Sequence, residues 1–291
     1  MNKTKQINDR LVNVREIETI VSTLRALAVA HQLEARTHLD AIHAHEASVA
    51  AALSTALSML PAATAKPAEQ RGMAIVIGAA QGFSGTFAER IADAALTEYQ
   101  RGSALLAVGS RTLSALQERE VTPVWSSESA LHANEVPDLA NQLADALFER
   151  LALTPETEIV LLYADAANAG QTLIRRILFP FDFGRFPRST APAPLTTLPA
   201  DALLSALVSE YLFAELCEAL MMGFAAENAA RAAAMSRAQS NVRQIAAELQ
   251  GSFQRARQEQ MTTEIIELSL GKLSASASRR FSPARERRRR R

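Results

Sequence analysis

The N-terminal part of the chain carries one long helical pattern of apolar residues. Between Ile7 and Leu27 they recur at spacings of three and four, the periodicity of one face of an α-helix. The pattern continues more loosely to Leu60, and no proline or glycine precedes Pro61. Residues 1–60 are therefore predicted to form one helix, whose periodic part spans roughly 54 residues or about 80 Å. The tight part of the pattern consists of Ile7, Leu11, Val14, Ile17, Val21, Leu24 and Leu27.

The pattern changes after a linker that we predict at residues 61–72. Short, partly β-branched apolar runs then alternate with helical patterns. Such alternation is typical of a parallel sheet, and it predicts a Rossmann-like α/β domain over residues 73–199. The last part of this domain, Pro180–Pro199, holds five prolines and is predicted to be mostly extended. The predicted strands are Ala74–Ile77, Ala104–Val108 and Glu158–Tyr163, and the predicted helices are Thr86–Gln100, Arg111–Arg119 and Asp138–Leu151.

A second long helical pattern covers residues 200–273, where there is no proline and where Gly223, Gly251 and Gly271 are the only glycines. A helix of about 70 residues would be roughly 105 Å long. Neither terminal helix can bury its apolar stripe on so small a domain, so the stripes are expected to face each other or a partner. The predicted fold is α/β, with the domain inserted between two long helices that form an antiparallel coiled coil. Residues 274–291 are predicted to be a disordered, arginine-rich tail.

Composition limits the classes of protein to which the chain can belong. With 48% hydrophobic residues among 291 it can form a substantial core. No window approaches the roughly 18 to 20 apolar residues of a membrane-spanning helix, and the first residues show no hydrophobic region of the signal-peptide type. The protein is therefore expected to stay in the compartment where it is made. The single cysteine, Cys217, excludes an internal disulfide, and its apolar neighbours predict a buried thiol.

The net charge of zero hides an uneven distribution of charge. The segment Arg279–Arg291 holds eight arginines and one glutamate, which leaves 23 basic and 30 acidic residues in the rest of the chain. Such a tail suits contact with an anionic polymer or surface. A protein that binds nucleic acid or an anionic membrane through its tail is therefore one alternative hypothesis for the function.

The segment after the first predicted strand has the order of parts of a phosphate-binding turn, with glycines at Gly78, Gly82 and Gly85. Its spacing fits neither the dinucleotide G-x-G-x-x-G template nor the P-loop, and no lysine lies between Lys66 and Lys272. We therefore predict a tight turn without a cofactor, and an α/β nucleotide-binding enzyme remains a second alternative. No catalytic group is predicted, because the serines, threonines and carboxylates offer no assembled triad. No metal site is predicted, because the histidines that share a helix face are about 10 Å apart. Those histidines are His31, His38 and His45.

Two sets of positions, one in each terminal helix, form a recognisable pattern. They are Glu227, Ala229, Ala230, Arg231, Met235, Asn241, Glu248, Leu249, Arg255, Arg257, Gln258, Thr262, Glu264 and Glu267 in the last helix, and Ile7, Arg10, Leu11, Val14, Ile20 and Ala28 in the first. In these positions the chain resembles the gamma subunit of F-type ATP synthases. The resemblance implies a central rotor shaft, without catalytic activity of its own, that couples ion flow through the c-ring to ATP synthesis or hydrolysis in the alpha/beta hexamer.

The same resemblance implies partners and a location. The partners would be the alpha, beta and epsilon subunits and the c-ring, and no nucleic acid is expected. The protein would associate with the membrane only through the complex, at the cytoplasmic face of the inner (plasma) membrane.

The resemblance also implies roles for residues in both helices. Arg257 and Gln258 match polar contacts with the catalytic ring, and residues 265–273 would be a tip held in an apolar bearing. Leu24 stands where the family usually has methionine. The implied ring contacts are Arg255, Arg257, Gln258, Thr262, Glu264, Ile265 and Leu268, and the implied coupling positions of the coiled coil are Val21, Leu24, Leu27, Leu249 and Phe253.

The glycine loop departs from the family. Residues 80–86 read AQGFSGT, where the family usually reads Asp-Arg-Gly-Leu-Cys-Gly-Gly, so two charges and a thiol are missing. Thr19 stands where a lysine is common. These departures suggest a divergent, N-ATPase-like branch, and the sequence does not identify the coupling ion.

Overall fold

The computed structural model describes residues 3–60, 69–153, 157–190 and 194–280. The helices are α1 (Lys3–Ser58), α2 (Phe87–Gln100), α3 (Ser110–Gln117), α4 (Val136–Leu153) and α5 (Ala200–Arg280), and the strands are β1 (Glu69–Ile77), β2 (Ala104–Val108), β3 (Trp125–Ser127), β4 (Thr157–Ala164) and β5 (Leu173–Phe179). Short 3-10 turns occur at Ala133–Glu135, Ala167–Gly170 and Phe183–Arg185. These elements form two compact units, one from Met1–Val21 with Ala238–Arg291 and one from Ser22–Arg237.

The two long terminal helices predicted from the sequence are present, α1 with 56 residues and α5 with 81. Strand β1 begins at Glu69, inside the segment predicted as a linker, and α5 continues to Arg280, past the predicted helix end at residue 273. The rest of the predicted tail, residues 281–291, lies outside the described residues. Among the described residues, no helix contains a stretch apolar and long enough to span a bilayer.

The sheet has the strand order β3-β2-β1-β4-β5, which matches the first five positions of a doubly wound Rossmann sheet. Strand β1 pairs in parallel with β2 and β4, and β2 pairs in parallel with β3, so the predicted α/β class is confirmed. Strand β5 was not predicted, and it pairs antiparallel with β4 at the edge. Its adjacent arginines, Arg175 and Arg176, interrupt the apolar run that marks a buried strand.

Strand β1 distributes its side chains between two buried clusters, one on each face of the sheet. Ile75 and Ile77 pack in the cluster that contains residues of α1, α4 and α5, whereas Ala74 and Val76 pack in the cluster that contains residues of α2 and α3. This alternation follows from the period of two in a strand. Both faces of β1 are covered, which explains why its run is continuously apolar.

The two long helices pair antiparallel in each unit. In the unit Ser22–Arg237, the Tyr211 hydroxyl of α5 donates to Glu46 of α1 at 2.6 Å, and His43 Nε2 lies 3.3 Å from Glu218 Oε1. In the other unit, Arg243 donates to Glu18 at 2.8 Å. The Thr4 hydroxyl donates to Gln260 at 2.9 Å in that same unit. Within each unit the α5 number falls as the α1 number rises, so the predicted antiparallel arrangement is confirmed.

The buried stripe of α1 follows a seven-residue repeat rather than every apolar position. Val21, Ala28, Ala35, Val49 and Ala56 stand at multiples of seven residues, and all five are buried. A seven-residue repeat is the pattern of a helix that keeps one seam against a supercoiled partner. Other buried apolar residues of α1 flank this repeat, namely Leu11, Leu39, Leu53 and Leu57, whereas Ile17, Ile20 and Leu27 are exposed although their spacing resembles a helical stripe.

Candidate functional site

One stretch in the C-terminal part of α5, residues 261–270, is exposed on every side. Each residue from 261 to 270 is exposed, and several of them are large and apolar. Soluble helices usually hide such side chains, so a helix that exposes them all round has a surface suited to a partner. These side chains are Met261, Ile265, Ile266, Leu268 and Leu270, with exposed fractions between 47% and 67%.

The residues expected to contact a catalytic ring are all exposed positions of α5, within this stretch or shortly before it, namely Arg255, Arg257, Gln258, Thr262, Glu264, Ile265 and Leu268. The polar contacts that they make stay within the helix. Thr262 donates its hydroxyl to the Gln258 carbonyl at 2.9 Å, and Gln260 donates to Glu264 at 2.9 Å. Within the described ranges, the Arg257 guanidinium forms no hydrogen bond or ion pair. Their role in ring contact stays a prediction, but their side chains are accessible.

The residues expected to couple the two helices differ in burial. Val21 is buried, whereas Leu24, Leu249 and Phe253 are half-buried. Leu27 is 52% exposed, and its neighbour Ala28 is 1% exposed. The seam of α1 therefore uses the small side chain of Ala28, because the seven-residue repeat places position 28, not 27, against the partner helix. Ile17 is also outside the seam, with 48% of its surface exposed.

The glycine loop between β1 and α2 is held by a carboxylate from α5. The backbone N–H groups of Ala80 and Gln81 each donate to Glu227 at 2.9 Å, one to each carboxylate oxygen. Glu227 is 3% exposed. A buried carboxylate thus occupies the position at which a phosphate would sit in a phosphate-binding turn.

Glu227 is itself fixed by a buried arginine one helical turn further along α5. Arg231 forms an ion pair with Glu227, donates to the Asn228 side chain at 2.8 Å, and donates to the Gly82 carbonyl at 3.3 Å. Asn228 donates in turn to the Phe224 carbonyl at 2.9 Å. This network, Glu227, Asn228 and Arg231, satisfies the buried charges and joins α5 to both ends of the 80–82 segment.

The contact between α5 and the loop is not predicted by the sequence pattern. Glu227 and Arg231 were noted as pattern positions without a structural role. The available signal was a Glu and an Arg at i, i+4 inside an alanine-rich, buried helix, because charges in such surroundings need each other or a polar partner elsewhere in the fold.

A cavity of about 840 Å³ lies at the opposite end of the sheet from the glycine loop, near Gly72 and Ser103. It is lined by four arginines, and each of them faces a carboxylate. The pairs are Arg101 with Glu98 at 2.7 Å, Arg175 with Glu98 at 3.0 Å, Arg176 with Glu218 at 2.6 Å, and Arg185 with Glu215 at 2.8 Å. The hydrogen bond with Glu98 raises the pKa of Arg175 above its ordinary value. Each of these arginines thus has a carboxylate partner within the chain.

Two carboxylates, Asp165 and Asp182, lie shortly after the ends of β4 and β5. Asp165 accepts from the Ala167 N–H at 3.0 Å, and Asp182 accepts from the Gly184 N–H at 2.9 Å. Both therefore cap local turns. The described ranges hold no group of three or more His, Cys, Asp or Glu side chains that could bind a metal ion.

The chain is similar along almost its whole length to known proteins of one kind. The family model described as ATP synthase matches residues 3–274. The ATP synthase gamma chain of Ruminococcus albus is 24% identical over 285 residues, covering 94% of this chain and 99% of that relative. The gamma chain of Salinibacter ruber is 29% identical over 231 residues, covering 70% and 75%.

Solved structures share the fold. A chain of the Euglena gracilis mitochondrial ATP synthase, solved as OSCP/F1/c-ring in rotational state 3, has a TM-score of 0.63 and 15% identity over 99% of both chains. A chain of the Tetrahymena thermophila mitochondrial ATP synthase central stalk and c-ring has a TM-score of 0.54 and 15% identity, covering 75% of this chain and 99% of that one. The family match includes both long helices and the domain between them, and the chain therefore belongs to the family of ATP synthase gamma chains.

Proposed function

We propose that this chain is the rotating central stalk of an F-type ATP synthase or ATPase. It couples ion flow through a c-ring to ATP synthesis or hydrolysis in a hexamer of alpha and beta subunits, and it performs no catalysis itself. The observation that carries the proposal is the antiparallel helix pair whose longer member, α5, is exposed on every side over residues 261–270. The similar chain in Tetrahymena belongs to a central stalk.

Residues 257–268 of α5 combine the two kinds of surface that a turning shaft needs. Arg257 and Gln258 offer polar groups that can break and re-form contacts as the shaft turns, and Ile265 and Leu268 offer an apolar tip for a bearing. An asymmetric shaft that touches three catalytic subunits differently shifts their nucleotide affinities in turn. Such coupling between sites typically amounts to about 1–3 kcal/mol.

The α/β domain completes the proposed assembly. It would bind the epsilon subunit and the c-ring, since the similar Euglena chain belongs to an assembly of OSCP, F1 and c-ring. The chain would then be peripheral to the membrane and attached through the complex, on the cytoplasmic face of the inner (plasma) membrane. The glycine loop supports a divergent, N-ATPase-like branch, because residues 80–86 lack the two charges and the thiol that are usual in the family.

The test uses the whole complex, reconstituted in vesicles with its own alpha, beta, epsilon and c subunits. In the double variant Arg257→Ala/Gln258→Ala, the complex should assemble and hydrolyse ATP, but the number of ions pumped per ATP should fall severalfold. Both side chains are exposed, so folding should be unaffected. The matched control is Arg36→Ala/Gln117→Ala, which removes the same two side-chain types from exposed sites elsewhere. Pumping by the control should equal that of the unmodified complex.

Two outcomes would contradict the proposal. One is a stable hexamer on its c-ring that pumps with full coupling in the absence of this chain. The other is failure of the chain to co-purify with alpha and beta subunits from cells that express all of them.

A further inference from the structure

The two halves of the glycine loop differ in the partners of their backbone N–H groups. The N–H groups of the first half, at Ala80 and Gln81, are occupied by the Glu227 carboxylate. The second half leads into α2, which begins at Phe87. Its N-cap residue, Thr86, makes no side-chain capping bond. The first N–H groups of a helix have no partner within the helix and carry its positive end, so this half lacks the anion that the first half has.

A cavity of about 270 Å³ opens at this second half of the loop. Its polar lining comes from Ser84, Thr86, Arg90, Gln171 and Arg237, and no acidic residue lines it. It therefore differs from the larger cavity near Gly72, whose arginines all face carboxylates of this chain.

The two arginines of the cavity differ in their contacts with the rest of the chain. Arg90 is fixed on the far wall, where it donates to the carbonyls of Gly170 at 2.6 Å and Gln171 at 3.0 Å. Arg237 Nη2 comes within 3.7 Å of the position that a Cβ on Gly85 would take, so its guanidinium lies beside the loop. Within the described ranges, Arg237 makes no hydrogen bond and no ion pair. The residue is exposed, and no carboxylate within the described ranges balances its positive charge.

Ser84 gives an independent indication that a ligand belongs here. The residue is only 6% exposed, and it lines the cavity. In the part of the chain that the structure describes, its side chain has no hydrogen-bond partner. The Ser84 oxygen is not among the fully buried, unpaired side-chain atoms of the described residues, so it is accessible from the cavity. A ligand that accepts a hydrogen bond in the cavity would supply the missing partner.

We propose that this cavity binds a small phosphate-class oxyanion, held by the Ser84 hydroxyl, the N-terminal N–H groups of α2 and the guanidinium groups of Arg90 and Arg237. Such an ion presents several acceptor oxygens and a negative charge, which match two cations, a hydroxyl donor and a helix N-terminus. The site is smaller than the about 300–1,000 Å³ of pockets that enclose larger ligands. It therefore fits free phosphate or the terminal group of a small phosphate ester, and not a whole nucleotide.

The test is calorimetric titration of the full-length chain with inorganic phosphate at constant ionic strength. We expect saturable binding, and an affinity at least about fivefold lower in Arg237→Gln, which removes one charged donor. The matched control is Arg36→Gln, the same change at an exposed position of α1, which should bind within about twofold of the unmodified chain. Ser84→Ala is a second variant, and it should also weaken binding while the circular dichroism spectrum stays unchanged.

Further titrations separate the possible sources of the ion. Glycerol phosphate that binds as tightly as phosphate would identify a phosphate ester as an acceptable ligand, whereas binding of inorganic phosphate alone would identify the free ion. Either result supports the proposal. Absence of saturable binding by both would overturn it, as would equal weakening in Arg36→Gln and Arg237→Gln. Tighter binding of acetate than of phosphate would also overturn it, because the cavity would then prefer a carboxylate.

Discussion

Glu227 in α5 accepts a hydrogen bond of 2.9 Å from the backbone N–H of Gln81, although 146 residues separate the two in the chain. The conformation of the glycine loop therefore depends on α5 and not only on the loop's own residues. This contact also explains why the loop needs no lysine. The anion that its first N–H groups bind belongs to the protein itself.

Replacing Glu227 with alanine should release this part of the loop and destabilise the fold. The variant removes the acceptor of two N–H groups and leaves the buried guanidinium of Arg231 without its carboxylate. Breaking one partner of a buried ion pair typically costs about 3–5 kcal/mol. We expect the free energy of unfolding in urea to fall by that order, and the amide hydrogens of Ala80 and Gln81 to exchange faster with solvent.

The control for this variant is Glu248→Ala, the same substitution at an exposed position of α5. Glu248 accepts from the Gln244 side chain at 3.1 Å on the surface, and exposed contacts of this kind change the free energy of unfolding by less than about 0.5 kcal/mol. Equal unfolding free energies for Glu227→Ala and Glu248→Ala would show that the loop contact does not stabilise the protein.

Two glycines of the same loop should differ in how far replacement by alanine destabilises the protein. A Cβ at Gly78 would lie 2.3 Å from Thr112 Oγ1, the atom that accepts the Ala79 N–H at 2.8 Å. A Cβ at Gly82 would meet nothing within 4 Å. Gly78→Ala should therefore lower the free energy of unfolding by about 1–3 kcal/mol through overpacking. Gly82→Ala should leave it within about 0.5 kcal/mol, and a similar loss in both variants would argue against steric contact as the cause.

The central strands could be predicted from the sequence because both of their faces are buried. Ala74–Ile77 forms a continuous apolar run, and a run of that length next to turn residues indicates a buried strand. Strand β3 has only three residues, too few for any period to be visible. Strand β5 directs Arg175 toward Glu98 and Arg176 toward Glu218, so its neighbouring charges are satisfied by contacts distant in sequence that no local pattern reveals.

The candidate site could be predicted only where it depends on a single helix. The exposure of residues 261–270 of α5 could be predicted, because polar residues surround the apolar side chains of this stretch. The seam of α1 does not follow from hydrophobicity alone, because Leu27 is the more apolar residue and yet Ala28 is buried. Which residue enters the seam is decided by the register against α5 and by the close approach that a small side chain permits. The contact of Glu227 with the loop depends in the same way on tertiary structure.

Alkaline pH should destabilise the protein partly through Cys217. Burial raises the pKa of its thiol from 9.0 to about 11, because the thiolate is poorly solvated in the core. Below pH 9 the thiol is protonated in both the folded and unfolded states, and between pH 9 and 11 only the unfolded state loses the proton. The free energy of unfolding should therefore fall by about 2–3 kcal/mol across that range.

The variant Cys217→Ala isolates this effect. Burial also raises the pKa of Tyr163 to about 12, so both proteins should lose stability at high pH, but only the unmodified chain carries the cysteine contribution. The difference in unfolding free energy between the two proteins should shrink as the pH rises from 9 to 11, as measured by urea unfolding at each pH. A difference that stays constant across this range would exclude ionisation of the thiol as a cause.

The tip of α5 offers a way to separate function from folding. Ile265 and Leu268 are 66% and 67% exposed, so Ile265→Ala/Leu268→Ala should change the free energy of unfolding of the free chain by less than about 0.5 kcal/mol per site. Leu53 is fully buried in the core, and Leu53→Ala should cost about 2–5 kcal/mol. In the reconstituted complex the tip variant should pump fewer ions per ATP, because an apolar bearing loses its contacts. Full coupling in that variant would mean that the exposed tip does not act as a bearing.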